Sequence, residues 1–276
     1  MSNNNSAAAK RFAGFNSIHN PIICRSASLA GKTVRYFEFE YHRYSLAAWR
    51  DDSLRNHGAP SLAVTIDRHR DFLLADKQQL EKFAAFSGDK ELIDNINSIP
   101  AAANNDFITY ALYHNYCSDI LVIAYEYYHD IEKKTMIAAA TPFYDRTGAA
   151  HSLLCVKSLN DVFAAGCDFE KAAIYSEFKN KLDSARSVIL DIDLDYFTYQ
   201  SPDDGIFIRT AGDIARVFKA VKPSFARMLD KVTTIAIARE SLCCGGEENA
   251  AKIKEMLLNI FRRDYGFSFI DESLSK

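Results

Sequence analysis

Two short acidic motifs carry the side chains best suited to chemistry. Asp67-Arg68-His69-Arg70-Asp71 follows the apolar run Leu62-Ala63-Val64-Thr65-Ile66, and Asp191-Ile192-Asp193-Leu194-Asp195 follows Val188-Ile189-Leu190. In each motif, ligand-type side chains stand two residues apart. On an extended strand that spacing puts them on one face. Five carboxylates and an imidazole would then gather at the ends of two strands. If they meet, the carboxylates cannot all stay ionised unaided, because two like charges about 4 Å apart cost roughly 4 kcal/mol at a protein-like dielectric. Divalent cations remove that cost. Four Asp and two His around two such ions would roughly balance charge, with room for a bridging hydroxide.

The elements needed to position these residues are legible as alternating runs. Thr33–Glu40 alternates apolar and polar residues like a strand. Ser61–Ile66, Ile120–Tyr125, Ser152–Val156, Val188–Ile192 and Thr233–Ala238 are short aliphatic or β-branched runs, as in buried parallel strands. Helical patterns lie between them. One covers Asp76–Phe86, and another is marked by Phe107, Tyr110, Ala111 and His114 at i, i+3, i+4 and i+7. A third is capped by Asp168 and runs to about Leu182, and a fourth spans Gly246–Tyr265 and closes at Gly266. Asn95 to Asn105 is polar and Ala-rich, and is read as a loop near the site. Strands alternating with helices imply an α/β fold, a parallel sheet covered on both faces. In such folds ligands bind beyond the carboxyl ends of the strands. Both acidic motifs stand there.

Composition narrows the function further. The chain has 276 residues, 48% of them hydrophobic, with a net charge of -3. That size suits one long domain over residues 31–276, after a polar, partly disordered segment at 1–30. No Lys/Arg run points to nucleic acid. The polar start, Met1-Ser2-Asn3-Asn4-Asn5-Ser6, lacks the apolar core of a secretory signal, and no stretch approaches the roughly 20 apolar residues that span a bilayer. The six cysteines include no Cys-x-x-Cys pair and sit mostly in apolar contexts, as free thiols do in a reducing cytoplasm.

The Asp-x-His-x-Asp motif after a strand, followed about 120 residues later by hydrophobic-Asp-x-Asp, resembles the ureohydrolase (arginase) superfamily. Glu38-Phe39-Glu40-Tyr41-His42, Ser45-Leu46-Ala47-Ala48-Trp49 and Ile189-Leu190-Asp191-Ile192-Asp193-Leu194-Asp195-Tyr196-Phe197 resemble a divergent branch of it. That branch includes peptide arginases, which convert arginine side chains of ribosomally made precursor peptides to ornithine. The resemblance runs from about Val34 to Glu240 and rests on four short motifs in order.

It implies a three-layer α/β/α fold and two manganese ions per chain, with iron or cobalt as alternatives. His42, Asp67, Asp71 and Asp191 would hold one ion. His69, Asp67, Asp191 and Asp193 would hold the other. The ligand pair is either Asp191/Asp193, which the strand register favours, or Asp193/Asp195, and in the first case Asp195 would support the ligands from behind. A metal-bridging hydroxide would attack the guanidinium carbon and release urea. Asp71 could relay the proton, and Glu240 would pair with the substrate guanidinium. The loop Cys243-Cys244-Gly245-Gly246 would border the pocket flexibly. The partner is then an arginine-containing precursor peptide.

Two departures concern the rim. Ordinary arginases carry Gly-Gly-Asp-His where this chain has Glu40-Tyr41-His42, and Asp-Pro where it has Leu194-Asp195-Tyr196-Phe197. Both favour arginine presented on a peptide over free arginine.

Other residues have plainer readings. His114 is either a core histidine or a catalytic acid/base. His129 and His151 are weaker candidates for proton shuttle. Asp203 and Asp204, beside Gly205, read as turn formers, and Tyr125–Tyr128 as packing or rim. Three rival functions remain. One is a single-zinc amidohydrolase of the related deacetylase branch using Asp67, His69 and Asp191. Another is an Asp-x-Asp phosphatase with Asp191 as nucleophile, and the last is an inactive peptide-binding protein.

Overall fold

The structure, a computed structural model, describes residues 22–69, 71–72, 78, 80–81, 89–98, 106–125, 141–159, 169–201 and 205–271. Residues 1–21, Arg70, most of Asp76–Phe86, residues 126–128, His129, Asp168, Asp203 and Asp204 lie outside these.

Eleven strands are described: β1 (Ile23–Leu29), β2 (Lys32–Phe39), β3 (Ser61–Asp67), β4 (Cys117–Ala124), β5 (Thr141–Tyr144), β6 (Ala150–Val156), β7 (Val188–Asp193), β8 (Thr198–Ser201), β9 (Gly205–Ile208), β10 (Val232–Ala238) and β11 (Ser268–Phe269). Nine form one sheet in the order β11-β1-β2-β10-β7-β3-β4-β6-β5, while β8 and β9 make a separate hairpin. From β2 to β6 every pairing is parallel. The antiparallel pairings, β1 with β2 and β11 and β5 with β6, lie at the edges. The alternating runs mark β2, β3, β4, β6, β7 and β10 within a few residues. They do not reveal the edge strands: β5 and β11 span only four and two residues, and Arg25, Ser26 and Ser28 interrupt the apolar residues of β1. Residues 23–29, within the N-terminal segment expected to be partly disordered, form β1 and bury Ala27 and Leu29.

The helices are α1 (Ser45–Arg55), α2 (Asp89–Ser98), α3 (Phe107–Tyr113), α4 (Phe169–Ser184), α5 (Ala211–Leu229) and α6 (Glu247–Tyr265). One sheet face packs Val64, Leu190 and Ile237 against Phe178 of α4, Phe218 of α5 and Leu257 of α6. The other packs Ala63, Ile189 and Ala236 against Trp49 of α1, Ile96 of α2 and Leu112 of α3. This is the three-layer α/β/α arrangement, with central strands buried on both sides as parallel sheets require. Residues 95–98, expected in a loop, belong to α2, because Leu92, Ile93 and Ile96 share a buried face. Gly266, with φ 67°, caps α6 as the sequence suggests.

Chain order places the site. From β3 the chain adds β4 and β6 on one side, then returns to add β7 and β10 on the other. The carboxyl ends of β3 and β7 therefore flank the switch point of the sheet, where α/β folds open a crevice. In register, Ile66 pairs with Ile192, so Asp67 and Asp193 stand at the same level one step further on. At the opposite ends, Asp52 of α1 ties the helix to the sheet. Its buried carboxylate accepts from Thr233 Oγ1 (2.7 Å), Thr234 Oγ1 (2.7 Å), Arg55 (3.1 Å), Asn56 (2.9 Å) and Ser61.

Candidate metal centre

His42 is the centre of the cluster. It opens a 3₁₀ turn, His42–Tyr44, just past β2, and its ring is buried. Three carboxylate oxygens converge on its Nδ1: Asp71 Oδ2 at 3.1 Å, Asp67 Oδ2 at 3.2 Å and Asp193 Oδ2 at 3.5 Å. One ring nitrogen can offer at most one proton, so it cannot satisfy three such oxygens. The turns beyond β3 and β7 hold this geometry. His69 N donates to Asp67 Oδ1 (2.8 Å) and Asp195 N donates to Asp193 Oδ1 (3.0 Å), leaving each Oδ2 to face His42.

A second group adjoins the first through Asp67. His69 Nδ1 lies 3.1 Å from Asp195 Oδ2 and 3.8 Å from Asp67 Oδ1. Arg68 N donates to Asp195 Oδ1 (3.3 Å). Two sets could therefore hold a metal ion, His42/Asp67/Asp193 and Asp67/His69/Asp195, and Asp67 is common to both. Among the described residues, Asp67 Oδ2 and Asp195 Oδ2 are buried with no hydrogen-bond partner in proper geometry. Such orphaned oxygens are costly in a dry site, and cations would satisfy them. The donor chemistry fits that test: carboxylates with two imidazoles and no thiolate suit a hard or borderline divalent ion.

Electrostatics agree. Burial, then the charges of Asp71 and Asp195, pushes Asp67 well above the usual carboxylate range. Asp193 is pushed up likewise by burial and by Asp195 and Asp67. For His42, burial works downward, but Asp191, Asp67 and Asp71 outweigh it and hold the ring well above its ordinary value. For His69 burial also works downward, and Asp195 with its neighbours lifts it to about 9. The protein without metal thus copes with its own charges by taking up protons.

Two neighbouring backbones are strained. Asp71 has φ 45° and Glu240 φ 39°, left-handed values that non-glycine residues rarely adopt. Glu240 follows β10. Its amide donates to Glu40 O (2.8 Å), and its Oε1 accepts from the His42 amide (2.9 Å). Burial raises its carboxyl above the normal range. The segment after it is a hydrogen-bonded turn rather than the flexible loop expected, with Cys244 N bonded to Glu240 O (3.0 Å) and Gly246 N to Ser241 O (2.7 Å). Gly245 is needed there. Its φ is 79°, and a Cβ would come within 3.3 Å of Ile206 on β9.

Of the expected site residues, the structure brings His42, Asp67, Asp71, Asp193, Asp195, His69 and Glu240 together. It places Asp191 differently. Asp191 lies one pleat below the strand end, about 7 Å back along β7. There its Oδ1 meets His42 Nε2 (3.0 Å) and its Oδ2 accepts from Trp49 Nε1 (2.8 Å). Both of its oxygens are engaged in this way, and the two groups of described residues that could hold a metal ion draw on Asp193 and Asp195 instead. Strand register favours Asp191/Asp193 only for a strand that ends at Ile192, and β7 runs on through Asp193. Asp67/His69/Asp191, the single-zinc set, is not among the groups of described residues that could hold an ion, and Asp191 is fully buried with both oxygens hydrogen-bonded.

His114 is not brought to the site. It follows α3 three residues before β4 begins, and the cluster lies past the other end of the strands, about 20 Å away at 3.3 Å per residue. It packs beside Tyr113 and Tyr116. Burial, then Arg146, lowers it to about 4. A depressed histidine contributes stability that is full above about 6.5 and is lost as pH falls toward 4. His114→Gln is therefore expected to flatten the fall in unfolding free energy between pH 7 and 4 by on the order of 2 kcal/mol. Urea titrations across that range check this, and an unchanged slope contradicts it. His151 also faces away from the site, beside Ser118 and Asp145.

Three residues near the site carry no functional signal of their own in the sequence. Phe107 packs its ring 4.6 Å from that of His42 and 5.5 Å from that of Trp49. Asp106, ahead of α3, is lifted to about 6 by burial and then by Asp71. Trp49 stands in the sequence only as part of a motif. Among the described residues no helix is long and apolar enough to cross a membrane.

No protein-family model and no curated protein matches the chain. Among solved structures, Helicobacter pylori arginase is similar at 11% identity, over 80% of this chain and 71% of that one, with a TM-score of 0.34. A likeness that distant carries no argument about activity, and the functional reading rests on the residues themselves.

Proposed function

We propose that this chain is a hydrolase that holds two divalent cations, manganese by preference, and cleaves arginine side chains of a precursor peptide to ornithine and urea. The observation that carries the metal reading is the sharing of Asp67 between two His-carboxylate groups, with three carboxylate oxygens crowded on one ring nitrogen. The order of the motifs supplies the guanidine chemistry, and the departures at the rim supply the peptide.

His42, Asp71 and Asp193 would hold one cation and His69 and Asp195 the other, with Asp67 between them. Bound there, the pair would supply a water ionised near neutral pH and positive charge to draw on the guanidine nitrogens. The chain's own groups do the rest. Glu240, fixed by the His42 amide, would meet the guanidinium with its carboxylate, a planar fork against a planar fork. Asp71 would pass a proton from the attacking water to the departing amine. The hairpin β8–β9, tied to the first motif by Arg68 and Gln200 (3.1 Å), would form one wall of the mouth.

The test is to incubate the manganese-loaded protein with an arginine-containing peptide and with free arginine. The expected result is a loss of about 42 Da per modified arginine, the CH2N2 unit of the guanidine, with urea released and little turnover of the free amino acid. A peptide unchanged in mass alongside release of urea from free arginine would overturn the substrate. No urea from either would overturn the reaction.

A further inference from the structure

We propose that Trp49 and Asp191 are positioning residues that aim the Nδ1 lone pair of His42 at the metal site. The inference rests on the metal reading above and concerns residues that touch neither ion nor substrate.

Donor and acceptor capacity fixes the roles. An indole N–H is a donor only. Trp49 Nε1 lies 2.8 Å from Asp191 Oδ2, so that oxygen is committed as an acceptor. A carboxylate has no proton of its own to give. The 3.0 Å contact between Asp191 Oδ1 and His42 Nε2 therefore needs its proton on Nε2. In a neutral imidazole the lone pair then sits on Nδ1, the nitrogen facing Asp67, Asp71 and Asp193. Metal-bound histidines commonly hold the other ring nitrogen on a carboxylate in this way. Packing stops the assembly from turning. Trp49 and Asp191 are fully buried, and Phe107 lies against both the imidazole and the indole. Asp191, the first carboxylate of the run Asp191-Ile192-Asp193-Leu194-Asp195, is thus assigned a task, one pleat beneath the other two.

The sign of one double substitution separates this account from simple loss of charge. In Asp191→Asn, Trp49 keeps the amide oxygen on its own side, so the NH2 group faces His42 Nε2. That arrangement calls for a lone pair on Nε2 and a proton on Nδ1, where the ion should be. Adding Trp49→Phe removes the indole donor and lets the amide turn, restoring an acceptor to Nε2.

Calorimetric titration of the folded proteins with Mn(II) reads the effect. Asp191→Asn is expected to weaken the ion beside His42 by about 100-fold, and Trp49→Phe alone by about 10-fold. The double variant should bind about 10-fold more tightly than Asp191→Asn. In wild-type protein loaded with diamagnetic Zn(II), ring 15N shifts should place the His42 proton on Nε2. If the Asn variant does not fold, Trp49→Phe and the 15N readout decide. Wild-type affinity in the variants, a double variant no better than Asp191→Asn, or a proton on Nδ1 each overturns the positioning role while leaving the metal reading intact. Wild-type protein that takes up no Mn(II) overturns both.

Discussion

Asp67→Asn is expected to abolish binding of divalent cations and, in the same protein, to raise the stability of the metal-free fold. The two effects come from one cause. Asp67 contributes to both candidate ion sites, so its loss dismantles both. Without metal the same carboxylate is a liability, because burial and the charges of Asp71 and Asp195 resist its ionisation. A carboxyl whose folded value is raised costs stability as pH climbs from its unfolded value through the folded one. Asparagine keeps the Oδ1 that accepts from His69 N and removes the charge. At pH 8 the gain should be on the order of 2 kcal/mol, below the roughly 4 kcal/mol of one like-charge contact because the native cluster takes up protons. Turnover should fall to background, and added Mn(II) should no longer raise the melting temperature. Chemical denaturation of the two metal-free proteins, with and without Mn(II), checks both arms. A variant less stable than wild type would mean that Asp67 serves the fold and not an ion.

Asp52→Ala is expected to have the opposite profile, a large loss of stability with the site chemistry unaltered in whatever protein remains folded. The Asp52 carboxylate is fully buried and accepts five hydrogen bonds from Thr233, Thr234, Arg55, Asn56 and Ser61. Removing it takes the acceptor from the buried Thr234 and Ser61 hydroxyls and leaves Arg55 paired with Asp51. Breaking a buried charged network of this kind costs about 3–5 kcal/mol. For a chain of this size that lowers the melting temperature by about 6–10 °C. A shift under 2 °C, at the low end of about 1 kcal/mol, would mean that α1 is held by its apolar face alone.

The two substitutions also show what the sequence makes legible. The parallel strands are readable because both of their faces are buried, so Leu62 to Ile66, interrupted only by the β-branched Thr65, and Val188 to Leu190 appear as largely apolar runs. The acidic motifs are readable because they end those runs abruptly. Which carboxylate of Asp191, Asp193 and Asp195 reaches the site is not, because a period of two puts all three on one side of an extended chain. What decides is where the strand stops. β7 continues through Asp193 and then tightens into the 3₁₀ turn Leu194–Phe197, which swings Asp195 toward His69 and leaves Asp191 a pleat below. Trp49 as a partner of Asp191 depends on how α1 lies across the sheet, a contact 142 residues apart in the chain. Helix α5 escapes notice for a local reason. Pro223 stands inside it, where a proline ordinarily reads as a break, yet Ile214, Phe218, Val221, Phe225 and Met228 keep a buried stripe through that point.

Two acidic motifs and His42 would together form one metal centre. Its most direct test is the metal content of the purified chain after equilibration with Mn(II) and removal of unbound ions. The account predicts about two ions per chain, bound through carboxylates and imidazoles as such a donor set favours, and none in Asp67→Asn. A wild-type chain that retains no metal would contradict it, and would mean that the crowded carboxylates around His42 are held by protons alone.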